Sequence, residues 1–262
     1  MKIIEVVNAL EQFAPLPLQE DFDNAGLQIG LTEVEVSGAL LCLDVTEKIV
    51  DEAIRKDCNL IISHHPLIFH KLRRITGEDY VQRTVMKAIR AGVTIASMHT
   101  NMDSAQGGVN YKIAEKMKLE GLSFFGSQKT VDGVAGGEGV IGNFSQPMAA
   151  DDFILMLKKI FDAESVQANQ LLRREIKKVA LCGGAGSFLL QEAIEKGADA
   201  FLTGEMHYHE YFGHDQEIQI AVIGHYQSEQ YTNEIFQSII EERCPGVRCC
   251  LTEVCTNPII YL

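Results

Sequence analysis

Two histidines stand side by side in "SHHPLIF" (residues 63 to 69), directly after the apolar run Leu60-Ile61-Ile62. An imidazole at the end of a buried strand can be a hydrogen-bonded structural group or a metal ligand. Successive side chains of a strand point to opposite sides, so His64 and His65 cannot readily chelate one ion, but each can hold a different one. Two further segments place a histidine, three residues and a carboxylate after a strand-like run: His99 to Asp103 in "HTNMD", and His225 to Glu229 in "HYQSE". Each carboxylate has two oxygens and can bridge. That combination points to a pair of ions roughly 3.5–4 Å apart. Imidazoles and carboxylates without thiolates suit zinc, iron or manganese, and disfavour a closed structural zinc site. His207, His209 and His214 form another cluster in "GEMHYHEYFGH", with no tight chelate spacing; His209 is expected to line the same cleft. His70, in "HKLRR", reads as a solvated residue.

Ligands so far apart in the chain need elements that bring them together. Residues 39 to 43 read as a strand, and 46 to 57 as an amphipathic helix with Thr46 as its N-cap. The strand ending in Ser63 follows, then a helix near 79 to 91 and a strand over 93 to 98. Strands alternating with helices place the chain in the α/β class. Sites in such sheets form outside the carboxyl ends of the strands, where separate strand ends can converge. Setting residues 39 to 63 against 179 to 203 aligns Leu41 with Leu181, Cys42 with Cys182, and Glu52-Ala53-Ile54 with Glu192-Ala193-Ile194. Two related α/β lobes are therefore expected, as from an ancient duplication. Lobe one takes residues 1–126 and 220–262, and lobe two residues 127–219. The position equivalent to His64-His65 is then Gly204-Glu205, which argues for one shared site. The glycine-rich segment from Thr130 to Asn143 reads as loops or short hairpin strands. "CGGAGS" (182 to 187) reads as a tight strand-to-helix turn; it lacks the lysine of a Walker A loop and the spacing of a dinucleotide fingerprint.

Composition excludes several function classes. The chain has 262 residues, 46% of them hydrophobic, and a formal net charge of -13. That size allows one large or two modest domains with a real core, and the negative charge opposes general affinity for nucleic acid or anionic membranes. No apolar run approaches the roughly 20 residues that span a bilayer. The start Met1-Lys2-Ile3-Ile4-Glu5 places an acid where a signal peptide would continue its apolar region. Seven cysteines without a C-x-x-C pair fit reduced thiols. A soluble cytoplasmic protein is expected.

Several motifs, in order along nearly the whole chain, carry a family resemblance: "FDNAGLQIG" (22 to 30), "SHHPLIF" (63 to 69), "RRITG" (73 to 77), "HTNMD" (99 to 103), "GGVN" (107 to 110), "CGGAGS" (182 to 187), "TGEMHYH" (203 to 209) and "GHYQSE" (224 to 229). Together they resemble the Nif-three-like proteins, whose members bear the label GTP cyclohydrolase I type 2 homologue. The chain resembles the compact form, without an inserted middle domain. The resemblance implies two interlinked α/β lobes with mixed sheets flanked by helices, a ring-shaped homohexamer, and a dinuclear metal centre in the cleft between lobes. It implies His64, His65, Asp103, His225 and Glu229 as ligands of two divalent ions, with His99 and His209 close by.

Two functions fit these residues. One is a metal-dependent hydrolase of a small nucleotide-like or heterocyclic substrate, with His99 or His209 as proton shuttle. The other is a non-catalytic hexameric metal-binding scaffold, metal store or regulator. No guanine-reading motif makes GTP ring opening more than a label.

Overall fold

The computed structural model describes residues 1–262. Its strands are β1 (Gly26–Ile29), β2 (Ala39–Cys42), β3 (Leu60–Ser63), β4 (Thr94–Ser97), β5 (Glu120–Val131), β6 (Val134–Met148), β7 (Gln167–Ala168), β8 (Ile176–Cys182), β9 (Ala200–Thr203), β10 (Gln219–Val222) and β11 (Cys249–Leu251). The helices are α1 (Ile3–Phe13), α2 (Glu47–Arg55), α3 (Tyr80–Ala91), α4 (Thr100–Ser104), α5 (Val109–Lys116), α6 (Ala150–Ile160), α7 (Leu190–Glu195), α8 (His225–Glu229) and α9 (Thr232–Arg243). None is long and apolar enough to cross a membrane.

The chain forms two compact units. The first comprises Met1–Ala105, Val131–Val134 and Thr232–Pro258; the second comprises Gln106–Thr130, Ala135–Tyr231 and Ile259–Leu262. Relative to the lobes drawn from sequence, residues 106–126, 220–231 and 259–262 lie in the second unit, and 131–134 in the first. Pairing explains the first two placements. Asn110, on α5, accepts from the Gly183 amide and donates to the Glu138 carbonyl, and β10 runs parallel to β9.

The first unit holds a five-stranded sheet of order β1-β4-β3-β2-β11. β11, β2, β3 and β4 are parallel neighbours, and β1 runs antiparallel to β4. Every residue of β2, β3 and β4 is buried, as expected of a sheet covered on both faces. Leu40, Cys42, Ile61 and Ile95 join Ile49, Val50, Ala53, Val85 and Ala88 of α2 and α3 in one core. Helix ends follow from local chemistry. The Asp79 carboxylate accepts from the Gln82 amide to start α3, and Gly92, left-handed at φ 66°, stops it. Thr46 is the N-cap of α2 as expected, but its hydroxyl makes no capping bond.

The second unit holds a six-stranded sheet of order β5-β6-β8-β9-β10-β7. Here β8, β9 and β10 are parallel, while β6 and β7 join antiparallel. Register repeats between the units: Ala39 pairs with Leu60 and Cys42 with Ser63, as Val179 pairs with Ala200 and Cys182 with Thr203. Both sheets are mixed and flanked by helices.

The glycine-rich segment departs from expectation. It is neither loop nor short hairpin but most of the 15-residue β6, joined to the 12-residue β5. Asp132 and Gly133, at φ 50° and 83°, form the turn. Phe124, Phe125 and Leu122 of β5 lie across Gly137, Gly139 and Gly142 of β6, where an added Cβ would meet them closer than 3.0 Å. These glycines make room for side chains from the neighbouring strand.

Candidate metal centre

In the first unit the carboxyl ends of β2, β3 and β4 are level, because Cys42, Ser63 and Ser97 are register partners. Each strand therefore delivers its next residues to one edge: Asp44 after β2, His64 and His65 after β3, His99 after β4. Antiparallel β1 begins opposite, Gly26 pairing with Ser97, and so brings Asp23 to that edge. The His64 ring lies 4.9 Å from that of His65 and 5.3 Å from that of His99. One donor atom from each of the three histidines lies within 4.8 Å of the others.

Each imidazole is oriented through Nδ1. His64 Nδ1 donates to the Met98 carbonyl at 2.9 Å, His65 Nδ1 to Asp44 at 2.7 Å, and His99 Nδ1 to Asp23 at 2.7 Å. A proton held on Nδ1 leaves the lone pair of the neutral ring on Nε2. His64 Nε2 faces Asp103 Oδ1 at 3.5 Å. Two acceptors facing one another at that distance match neighbouring ligands of one ion, which tetrahedral bonds of ~2.0–2.1 Å would set about 3.4 Å apart. Donation of the second ring nitrogen to a carboxylate or carbonyl is also how metal-bound histidines are held.

The second unit repeats the arrangement once. His225 Nδ1 donates to Glu205 Oε1 at 2.9 Å, and its Nε2 faces Glu229 Oε2 at 3.0 Å. The two residues open and close the single turn of α8, so the i,i+4 spacing puts them on one face. Glu229 is buried and presses on Gly184, left-handed at φ 56°, with no room for a Cβ between them.

Burial pushes the Asp23 carboxyl up, but the His99 hydrogen bond and charge and the Thr100 hydroxyl outweigh it, leaving the pKa at about 2. Asp44 is likewise raised by burial and lowered more strongly by His65 and the Thr256 hydroxyl. Both stay anionic at neutral pH and hold their imidazoles by charge-assisted bonds.

Other residues singled out in the sequence have partners of their own. His209 is exposed on the short turn Tyr208–Tyr211, its ring against Tyr208 and Phe212. His214 is paired with Glu217. The "CGGAGS" loop is a tight turn: the Gly183, Gly184 and Gly186 amides donate to Asn110, Ser228 and Thr203. Beside it lies a cavity of about 290 Å³, lined by Ser187, Glu205, His207, His225 and Tyr261 among others.

The description Duf34/NIF3 (NGG1p interacting factor 3) belongs to a family model that matches residues 1–258. The chain belongs to this family. Among its relatives, a GTP cyclohydrolase 1 type 2 homolog of Clostridium acetobutylicum is 33% identical over 231 residues, covering 87% of this chain and 85% of that one. One of Clostridium perfringens is 33% identical over 232 residues, with 87% of each chain covered. The Bacillus subtilis homolog aligns over 371 positions, more than this chain's length, so it carries a segment with no counterpart here. Among solved structures, Staphylococcus aureus protein SA1388 superposes with a TM-score of 0.90 at 26% identity, covering 100% of this chain and 99% of the other. A Bacillus cereus protein related to NIF3 gives 0.88 at 24%, with 100% and 99% covered.

For this Duf34/NIF3 chain, sequence reasoning passed over the residues that orient the histidines: Asp23, Asp44 and Glu205. Asp23 sits within "FDNAGLQIG", which carried the resemblance without a role. It binds His99, and its second oxygen takes the Thr100 amide and hydroxyl. The two His-x-x-x-carboxylate echoes also differ in structure. His99 is the N-cap residue before α4, whereas His225 is the first residue of α8.

Proposed function

We propose that this protein binds two divalent metal ions through His64, His65, Asp103, His225 and Glu229, and acts as a metal-dependent hydrolase of a small nucleotide-like or heterocyclic substrate. The carrying observation is the shared orientation of four imidazoles, each donating through Nδ1 to an oxygen and directing Nε2 to the donor side. Each unit supplies an incomplete set, three histidines and Asp103 in one, His225 and Glu229 in the other, and the proposal is that the two sets serve one centre. Zinc, iron and manganese suit imidazole and carboxylate donors.

When bound, such a pair supplies Lewis-acid polarisation of a substrate oxygen and acidification of water. His99, tied through Nδ1 to anionic Asp23, presents Nε2 as the atom that takes up or delivers a proton. Asp44 and Glu205 hold His65 and His225 in the donor tautomer. His209 is kept as a second proton-handling candidate, from the exposed turn it occupies. A homohexamer, as implied by the family, is part of the proposal and is read by sedimentation.

The test is a screen of metal-loaded protein against a broad metabolite panel, comparing wild type with His99→Ala. A reaction lost in the variant while both ions remain bound supports the hydrolase. No reaction in either protein, with both ions bound, would favour the metal store or scaffold.

A further inference from the structure

The loop that follows the paired histidines has features that the metal site does not use. Phe69 lies edge-on to the His99 ring, centroids 6.0 Å apart, and Phe22 stands against Phe69 at 6.4 Å. Both remain exposed, Phe22 to 68% and Phe69 to 38%. Apolar rings left in water beside a polar cluster are available for stacking. Their backbone is held: Asn24 donates to the Ile68 carbonyl at 2.6 Å, and the Ile68 amide donates to Gln28 at 3.2 Å. The pair is therefore a fixed platform and not a loose tip.

Charge adds a second observation. In a chain of net charge -13, residues 66 to 77 contain no carboxylate, yet Lys71, Arg73 and Arg74 fall within four positions. All three are exposed. Leu72 packs against the core of the first unit, which turns its neighbours Lys71 and Arg73 outward. None of the three cations takes part in an ion pair, whereas Arg83 and Lys87, further along the same segment, are paired with Glu47 and Asp51.

We infer that Phe22 and Phe69 with Lys71, Arg73 and Arg74 form a substrate subsite for an aromatic anion, the ring stacking on the phenylalanines and a phosphate or carboxylate meeting the cations. This rests on the proposed metal-dependent reading and names the substrate class of that site. Stacking on an aromatic side chain favours any aromatic ring whatever its edge pattern, because every such ring has a π-face. Guanidinium groups add charge-assisted, bidentate contacts to an anion. The platform touches His99, so a ligand stacked there would reach the proposed proton-handling atom.

The experiment measures binding of 1-naphthyl phosphate, cyclohexyl phosphate and 1-naphthol to metal-loaded protein by equilibrium dialysis, with metal content determined in each sample. Wild type should prefer 1-naphthyl phosphate to both comparison compounds. Arg73→Ala/Arg74→Ala should weaken 1-naphthyl phosphate about tenfold, as expected for loss of charge-assisted contacts, and leave 1-naphthol unchanged. Phe22→Ala, at an exposed position, should weaken both aromatic compounds and spare cyclohexyl phosphate. Unchanged affinities in these variants, or a change in oligomeric state without any change in affinity, would overturn the subsite. Wild type that holds no metal refutes the metal reading instead, so the two failures are distinguishable.

Discussion

The Asp23 carboxylate accepts a hydrogen bond from His99 Nδ1 at 2.7 Å, joining residues 76 positions apart. It also takes the Thr100 amide and hydroxyl, so one buried anion fixes both the histidine and the start of α4, the helix that carries Asp103. Asp23→Asn keeps the shape but removes the charge and leaves an amide N–H where an acceptor is needed. The variant should bind metal about tenfold more weakly, through the loosened start of α4 and the displaced Asp103, whereas His99→Ala, which leaves that anchor in place, should keep both ions. A metal titration checks this, with circular dichroism to show that the fold is retained.

His65 has a sharper consequence. If His64 and His65 serve different ions, His65→Ala should retain one metal equivalent per chain of the two bound by wild type. Elemental analysis of protein equilibrated with zinc reads the count directly. Full metal content in the variant would remove His65 from the ligand set.

What could be read from sequence depended on how local the signal was. His64 and His65 were visible because adjacent imidazoles at a strand end are unusual, and the repeated register was visible because two segments align without a gap and share Leu41 with Leu181, Cys42 with Cys182, and Glu52-Ala53-Ile54 with Glu192-Ala193-Ile194. The echo between His99 and His225 was counted correctly in spacing, yet it hides a one-residue difference in where each helix begins. The glycines of β6 misled because their cause is tertiary: Phe124 and Phe125 occupy the space a side chain would need. Asp23, Asp44 and Glu205 were not legible at all. Carboxylates are common on any acidic chain, and nothing local marks one that will meet an imidazole 20 or 76 residues away.

Glu205 allows a test that separates positioning from folding. It is exposed and accepts from His225 Nδ1 at 2.9 Å, so removing it exacts little from the core. Glu205→Ala should weaken metal binding by about tenfold or more, with the thermal midpoint of the metal-free protein unchanged. Glu205→Gln, which keeps a carbonyl acceptor, should recover part of the affinity. Equal loss in both variants would argue against the hydrogen bond as the cause.

Acid should loosen the C-terminal strand through Glu52. Burial pushes this carboxyl up, but the Thr252 hydroxyl, the Glu253 amide and Lys56 outweigh it and hold the pKa below its ordinary value. A group whose folded pKa is depressed contributes stability fully above its unfolded pKa, and loses it as pH falls through the folded value. The contribution is therefore present at neutral pH and disappears in acid, below about pH 4. Protection of the 249–253 amides, measured as the exchange rate relative to the intrinsic rate at each pH, should fall over that range in wild type. Glu52→Gln should show low protection already at pH 7 and a flatter response to acid.

Gly184 lies directly against a carboxylate of the second group of donors. Its φ of 56° is left-handed, and a Cβ there would collide with Glu229 Oε1. The left-handed backbone alone costs a non-glycine residue roughly 1–2 kcal/mol. The collision adds a local effect: Glu229 is buried and faces His225 Nε2 at 3.0 Å, so it has little freedom to retreat without breaking that alignment. Gly184→Ala should therefore lower both stability and metal affinity. Gly197→Ala, left-handed at φ 69° but with nothing within 4 Å, should lower stability by a similar amount and leave metal binding alone. Comparing denaturation midpoints and metal affinities of the two variants isolates the steric term. Equal metal affinity in both would show that Glu229 is not held as a ligand by the Gly184 turn.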